Sequence, residues 1–403
     1  MPLRKIFFWT HLIAGIAAGL VILTMSLTGV LLAFERQIVA FAEKDLRASE
    51  ADARKPSMAI SAIVAAAVAN SPAGAKPSNV TLRSDRLAPV TVALGRERTL
   101  FVNRYTGATS EGAKGVRAFF HVNEDLHRWL GMHGESRKAG KQIVGVSNTI
   151  FLFIVFSGLY IWIPKRKTRS SFRNASLFRG GLKARARDYN WHNVLGVWSF
   201  VPLVLIVFSG MVISYPWASA LVYRAFGDEP PKPPAQNEQQ REGGPRRGGG
   251  NREARGGNDG QLDRLWTAAI TNATSVAPKW QSVSGRLPLS MKGPVTFAVD
   301  EGNGARPDKR SQILLDPRSG KIVEHKTYAA QSSGQKARGW LRFIHTGEAG
   351  GIIGQIVAAI ASAAAVVLVW TGIALALSRL RRWLRKLPET QPNNKNSELV
   401  EEV

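Results

Sequence analysis

Four apolar stretches, each long enough to cross a lipid bilayer, decide most of what this chain can become. They cover residues 6–34, 143–163, 194–215 and 352–377. A helix rises about 1.5 Å per residue, so roughly 20 apolar residues span the hydrocarbon core. Lipid offers the backbone no hydrogen-bond partners, so each stretch has to be a helix. The polar residues inside them, among them Thr28, Ser157, Ser209 and Thr371, are small hydroxyls that a helix tolerates. The first stretch follows Arg4 and Lys5, as a secretory signal would. It is longer than an h-region of about 7–15 residues and lacks a small-x-small cleavage site before Glu35, so it reads as a retained anchor.

The formal net charge is +25 over 403 residues. Its placement argues against nucleic acid as the partner. The loop 164–189 carries nine Lys and Arg residues against Asp188 alone, and Arg379, Arg381, Arg382, Arg385 and Lys386 follow the last apolar stretch. Basic residues in short membrane-flanking loops mark the cytoplasmic side, where they also meet lipid headgroups. The expected topology is a multi-pass membrane protein with both termini and the basic loop in the cytoplasm and two long loops on the extracytoplasmic side.

The chain repeats this design. Eighteen positions separate His11 from Gly29 and His192 from Gly210, and a hydroxyl precedes each glycine (Thr28, Ser209). In each outer loop a helix-spaced segment (56–70, 261–274) precedes three strand-like segments (80–83, 90–94 and 99–102; 282–287, 295–299 and 312–315). A turn then opens on Asn103 or Asp316 and closes on Gly107 or Gly320, where the acid or amide supplies an acceptor and glycine permits positive φ. The predicted order is helix 1 (6–34), an α+β module (35–125), a histidine-bearing segment with helix 2 (126–163) and the basic loop (164–189). Helix 3 (190–215), a second module (216–343), a second histidine-bearing segment with helix 4 (344–378) and a basic tail (379–403) follow. Pro, Gly, Gln and Arg dominate 228–260, which reads as a disordered insertion.

The chain has seven histidines and no cysteine. Without thiols there are no iron–sulfur clusters, disulfides or covalent c-type haem attachments, and imidazole remains as the metal donor. Duplication turns four histidines into two pairs: His11 with His192 at the cytoplasmic face, and His345 with either His127 or His133 at the outer face. A pseudo-two-fold axis along the membrane normal brings each pair together. Two facing imidazoles can hold one haem iron, and one pair at each face would stack two haems across the bilayer. His121 and His325 have no repeat partner and read as surface residues. Trp129, Trp340 and Phe343 lie close to the outer histidines in sequence, either to pack a porphyrin or to anchor the interface. The glycine-rich run 347–354 has no preceding strand and does not qualify as a nucleotide loop. Asp263, Glu124 and Asp125 show no spacing for paired carboxylate catalysis.

Three blocks then resemble a known family. DLHRWLGMHGESRKAGKQIVGVSNTIFLFIVFSGLYIWIPKR, DYNWHNVLGVWSFVPLVLIVFSGMVISYPW and IHTGEAGGIIG match successive blocks of the PepSY-associated transmembrane proteins. Within that family the chain looks like the FoxB-type ferric-siderophore reductases of the inner membrane. The resemblance implies PepSY-like periplasmic modules, two b-type haems on His11, His192, His127 and His345, and reduction of a periplasmic ferric siderophore. It departs from the family pattern at Trp191, where Leu is usual before the histidine, and in the additional His133. The implied activity is one-electron transfer across the membrane to a hydroxamate-type chelate, with a quinol or a cytoplasmic reductase as donor. The alternatives are a membrane-anchored PepSY binding or regulatory module, and a siderophore-uptake component without redox activity.

Overall fold

The computed structural model describes residues 3–95, 98–231, 255–289 and 293–385. Four helices are long and apolar enough to cross a membrane: α1 (Leu3–Leu32), α5 (Arg137–Trp162), α7 (Ala184–Ser214) and α11 (Gly351–Leu384). α5, α7 and α11 extend beyond the apolar stretches because their polar flanks are also helical. The expected insertion 228–260 falls mainly on 232–254, outside the described residues, as does the tail from 386. Part of it is ordered, since helix α9 (Arg255–Val276) starts inside it.

The chain divides into two compact units. One comprises Met1–Leu27, Val146–Val204 and Ala361–Val403; the other comprises Thr28–Gly145 and Leu205–Ile360. Each of α1, α5, α7 and α11 contributes residues to both. In the first unit α1 packs on α11 at Gly19, where even an added Cβ would meet Val369 in ordinary contact at 3.7 Å. Such close approach is how helices gain packing energy in lipid, which supplies no hydrophobic drive between them. The basic loop is tied down here by side chains reaching its backbone carbonyls. Trp162 Nε1 donates to Ala175, Trp198 Nε1 to Ser176 and Asn190 Nδ2 to Leu177.

The second unit holds the strands. The first set is β1 (Pro77–Arg83), β2 (Val90–Leu94), β3 (Arg98–Val102) and β4 (Thr109–Ser110); the second is β5 (Ser282–Arg286), β6 (Val295–Asp300), β7 (Arg310–Leu315) and β8 (Ile322–Lys326). The sequence suggests two separate modules, whereas the structure has one eight-stranded antiparallel sheet, ordered β4-β3-β2-β1-β5-β6-β7-β8. The join is β1 on β5, with Asn79 opposite Arg286 and Arg83 opposite Ser282. Each set alone would expose β1 or β5 as an open edge, and pairing them removes both edges. The turns form as the Asn/Asp…Gly spacing predicts. Asn103 Oδ1 accepts from the Tyr105 N–H, Asp316 Oδ1 from the Ser319 N–H, and Gly107 and Gly320 take positive φ.

Helix α3 (Ile60–Ala69) and α9 cover one face of the sheet. They are joined by Asp263, whose carboxylate accepts from the Ser61 N–H and hydroxyl at 2.8 and 2.6 Å. This structural role accounts for Asp263. The core draws on both strand sets: Ile63, Val80, Val92 and Leu100 with Trp266, Phe297, Ile313 and Leu315. Trp266 is fully buried and meets Phe297 edge to face at 5.2 Å. Trp266→Ala should cost about 3–5 kcal/mol, as large aromatic truncations do. The indole N–H is buried with no partner among the described residues, so Trp266→Phe should cost clearly less. Denaturant-dependent proteolysis of the full chain checks both substitutions.

Candidate functional site: two facing histidine pairs

In the first unit His11 on α1 faces His192 on α7. Their ring centroids are 6.5 Å apart and the planes are near perpendicular, at 84°. His11 Nδ1 lies 2.9 Å from Ser157 Oγ on α5, and His192 Nδ1 lies 3.0 Å from Thr371 Oγ1 on α11. A glycine follows each hydroxyl residue, next to the ring. A Cβ at Gly158 would stand 3.2 Å from His11 Cε1, and one at Gly372 would stand 3.5 Å from His192 Cε1.

The second unit repeats the arrangement. Helix α4 (Lys114–Trp129) carries His127, and α10 (Ser333–His345) ends on His345. A capping box fixes the start of α10, where Ser332 and Gln335 each accept the other's backbone N–H. The two rings are 6.1 Å apart at 63°. His127 Nδ1 lies 3.0 Å from Thr28 Oγ1 on α1. His345 Nδ1 lies 2.9 Å from the Ile206 carbonyl and 3.4 Å from Ser209 Oγ on α7. Surrounding protein lowers the pKa of His345 by desolvation, so the ring is neutral at pH 7 and keeps a lone pair for a metal. All four rings are half-buried.

Of the two outer contenders, His127 faces His345. Helix α4 stops at Trp129, and Leu130 and Gly131 both take positive φ, turning the chain away before His133. His133 is left exposed, 3.8 Å from Asp125 Oδ2; His121 approaches the same carboxylate at 3.4 Å. His325 is half-buried in β8, and its Nε2 has no partner among the described residues. The aromatic residues near the outer pair have other neighbours. Trp129 lies under Arg128 and Arg137, Trp340 Nε1 donates to Tyr328, and Phe343 lies near Arg310. Ser157 and Thr371 carry no chemical signal in the sequence. The usable signal was repetition, because all four membrane helices carry one hydroxyl–glycine pair (28–29, 157–158, 209–210, 371–372).

The donor set fits an axially ligated haem. Metal–imidazole bonds run about 2 Å, so two rings bound head-on to one metal have centres roughly 6 Å apart. The Nδ1 edge of each ring is engaged by protein, which leaves Nε2 as the donor. No group of three or more His, Cys, Asp or Glu side chains converges among the described residues. Each pair could therefore supply two ligands, and a metal held there would need its remaining donors from a group such as a porphyrin.

The second unit also contains an open cavity of about 870 Å³ between helix α2 (Glu35–Ala42), α4 and the β1–β3 side of the sheet. Its walls are charged in pairs. Glu43 receives both arms of Arg117, and Glu111 meets Arg98 and Lys114. Glu124, on the rim, is one helical turn before His127. The carboxyl of Glu35 is held above its ordinary range by burial first and by Glu124 second.

Residues 8–379 match the family model described as the PepSY-associated TM region. A search of curated proteins finds no match. With that match spanning all four membrane helices and the whole sheet, the chain belongs to the PepSY-associated transmembrane family.

Proposed function

We propose that the protein is a di-haem reductase of the bacterial inner membrane, which passes single electrons to a periplasmic ferric siderophore and releases iron as Fe(II). Two facing pairs of half-buried histidines, each about 6 Å across and each with Nδ1 engaged by a neighbouring helix, carry this reading. His11 and His192 would hold one b-type haem and His127 and His345 the other. Bound there, the haem supplies reversible one-electron exchange. The two imidazoles of each pair would both be taken up in holding the group, so the chemistry it would supply is outer-sphere electron transfer rather than oxygen activation. The Nδ1 partners fix each ring in place, which keeps reorganisation small.

The basic loop 164–189 and basic tail support a cytoplasmic location for the His11–His192 pair, near a quinol or a soluble reductase. The sheet would then lie in the periplasm. Its strand order, which reads the same from either edge, supports a pseudo-two-fold axis through the β1–β5 join. The charged cavity beside α4 is large enough for a small chelate and opens one turn from His127. Hydroxamate oxygens are hard donors that hold Fe(III) far better than Fe(II), so reduction releases the metal. The same cavity favours a second reading, a PepSY binding module anchored by its helices.

An absorption spectrum of the purified protein decides between them. The redox reading expects a Soret band, a sharp reduced α-band and two haems per chain. A colourless, haem-free preparation from haem-replete cells refutes it. His127→Ala should remove one haem and His133→Ala none, measured by haem content.

A further inference from the structure

We infer that hydroxyl residues of the membrane helices are histidine seats, and that Ser157, Thr371 and Ser209 are positioning residues that help dictate which ring nitrogen can bind metal. The inference rests on the haem reading for its use, but the seats are a property of the chain itself. A hydroxyl has a single proton to give. Thr371 Oγ1 lies 2.7 Å from the Val367 carbonyl and 3.2 Å from Leu368. Ser209 Oγ lies 2.6 Å from Leu205 and 2.9 Å from Ile206, and Ser157 Oγ lies 3.2 Å from Ile154. With that proton donated down its own helix, as Ser and Thr commonly do in helices, the oxygen can only accept from a neighbour.

The facing ring nitrogen must then be the one carrying hydrogen. Backbone carbonyls, which can only accept, point to the same tautomer. Ile206 receives His345 Nδ1 at 2.9 Å, and the equivalent carbonyls of Ile154 and Leu368 are within reach of His11 and His192. Each is three residues before its hydroxyl, so one local geometry recurs on three helices. All three rings are therefore Nδ1–H tautomers with a bare Nε2 lone pair, before any metal arrives. Partners of this kind orient metal-ligating histidines and raise their basicity. At Gly158 the glycine completes the seat by leaving room for the ring's Cε1 edge, which an added Cβ would crowd at 3.2 Å.

The seats differ in strength. His345 is held mainly by a carbonyl, with Ser209 more distant at 3.4 Å. His192 has Thr371 at 3.0 Å as its close partner. Thr371→Val should therefore weaken binding of one haem by about 10–100-fold, the usual cost of losing such a partner. Thr371→Ser should restore it, and Ser209→Ala should have a clearly smaller effect.

The test has two arms on the full-length chain. In the first, the protein is produced without haem, labelled with ¹⁵N at histidine, and its ring nitrogen shifts are read. The expected result is protonated Nδ1 and unprotonated Nε2 for His11, His192 and His345. In the second, haem titration ranks wild type, Thr371→Ser, Ser209→Ala and Thr371→Val. Nε2–H tautomers in the wild type, or a Thr371→Val variant that titrates like wild type, overturn the seats and leave the haem reading standing. A wild-type chain that takes up no haem overturns the haem reading, and the nitrogen spectra still decide the seats.

Discussion

For the di-haem reductase proposed above, His192→Ala should leave one haem per chain in place of two, and should stop turnover driven from the cytoplasmic side. Among the described residues the ring and His11 are the two imidazoles that face each other at this site, with ring centroids 6.5 Å apart across the gap a metal would fill. One imidazole cannot hold the group as two do, so the loss should exceed the 10–100-fold typical of second-sphere changes. The substitution is also a clean one. Once the ring is gone, Thr371 keeps its bond to the Val367 carbonyl at 2.7 Å, so no stranded donor remains to destabilise the helices. His127 and His345 belong to the other compact unit and should keep their haem. Haem content per chain, with reduction kinetics from a cytoplasmic-side donor, measures the result. Two haems and an unchanged rate would show that His192 is not a ligand.

The membrane helices and the inner pair were legible because their signals are periodic or repeated. Apolar runs define the spans, and the same histidine-to-glycine interval in α1 and α7 marks His11 and His192 together. Other features depend on contacts that local sequence does not encode. The β1–β5 join pairs strands about two hundred residues apart, and each strand alone reads as an ordinary edge. β4 has only two residues, too few to show alternation. Choosing between His127 and His133 required knowing where α4 stops, and the stop lies in a positive-φ Leu130, a residue with no turn preference. Ser157 and Thr371 look like hydroxyls that a lipid-embedded helix tolerates. Their role appears only when the neighbouring helix brings a ring to them.

Gly354→Val should remove the outer haem while sparing the inner one. The run 347–354 is rich in glycine for a steric reason that has nothing to do with nucleotides. Gly347 takes a left-handed φ of 76° after α10 and passes directly over the first turn of α11. A Cβ on Gly354 would sit 2.2 Å from the Gly347 carbonyl oxygen, and one on Gly347 would sit 2.5 Å from the Gly354 oxygen. Both obstacles are backbone, so no rotamer change relieves them. The loop must move, and His345 lies two residues before Gly347. A shift there would lift the ring from the Ile206 carbonyl that holds it at 2.9 Å. It would also strain Gln355, which is almost fully buried and donates to the Ala33 carbonyl at 2.7 Å. Overpacking typically costs about 1–3 kcal/mol, and the absence of any yielding side chain puts this case at or beyond the upper end. Ile353→Val, one residue away on an exposed side chain, is the matched control and should retain both haems. Haem content with separate redox titration of the two sites reads the outcome. Loss of the outer haem alone ties the glycine crossing to the seating of His345, whereas retention of both would mean that α11 can start without that close approach.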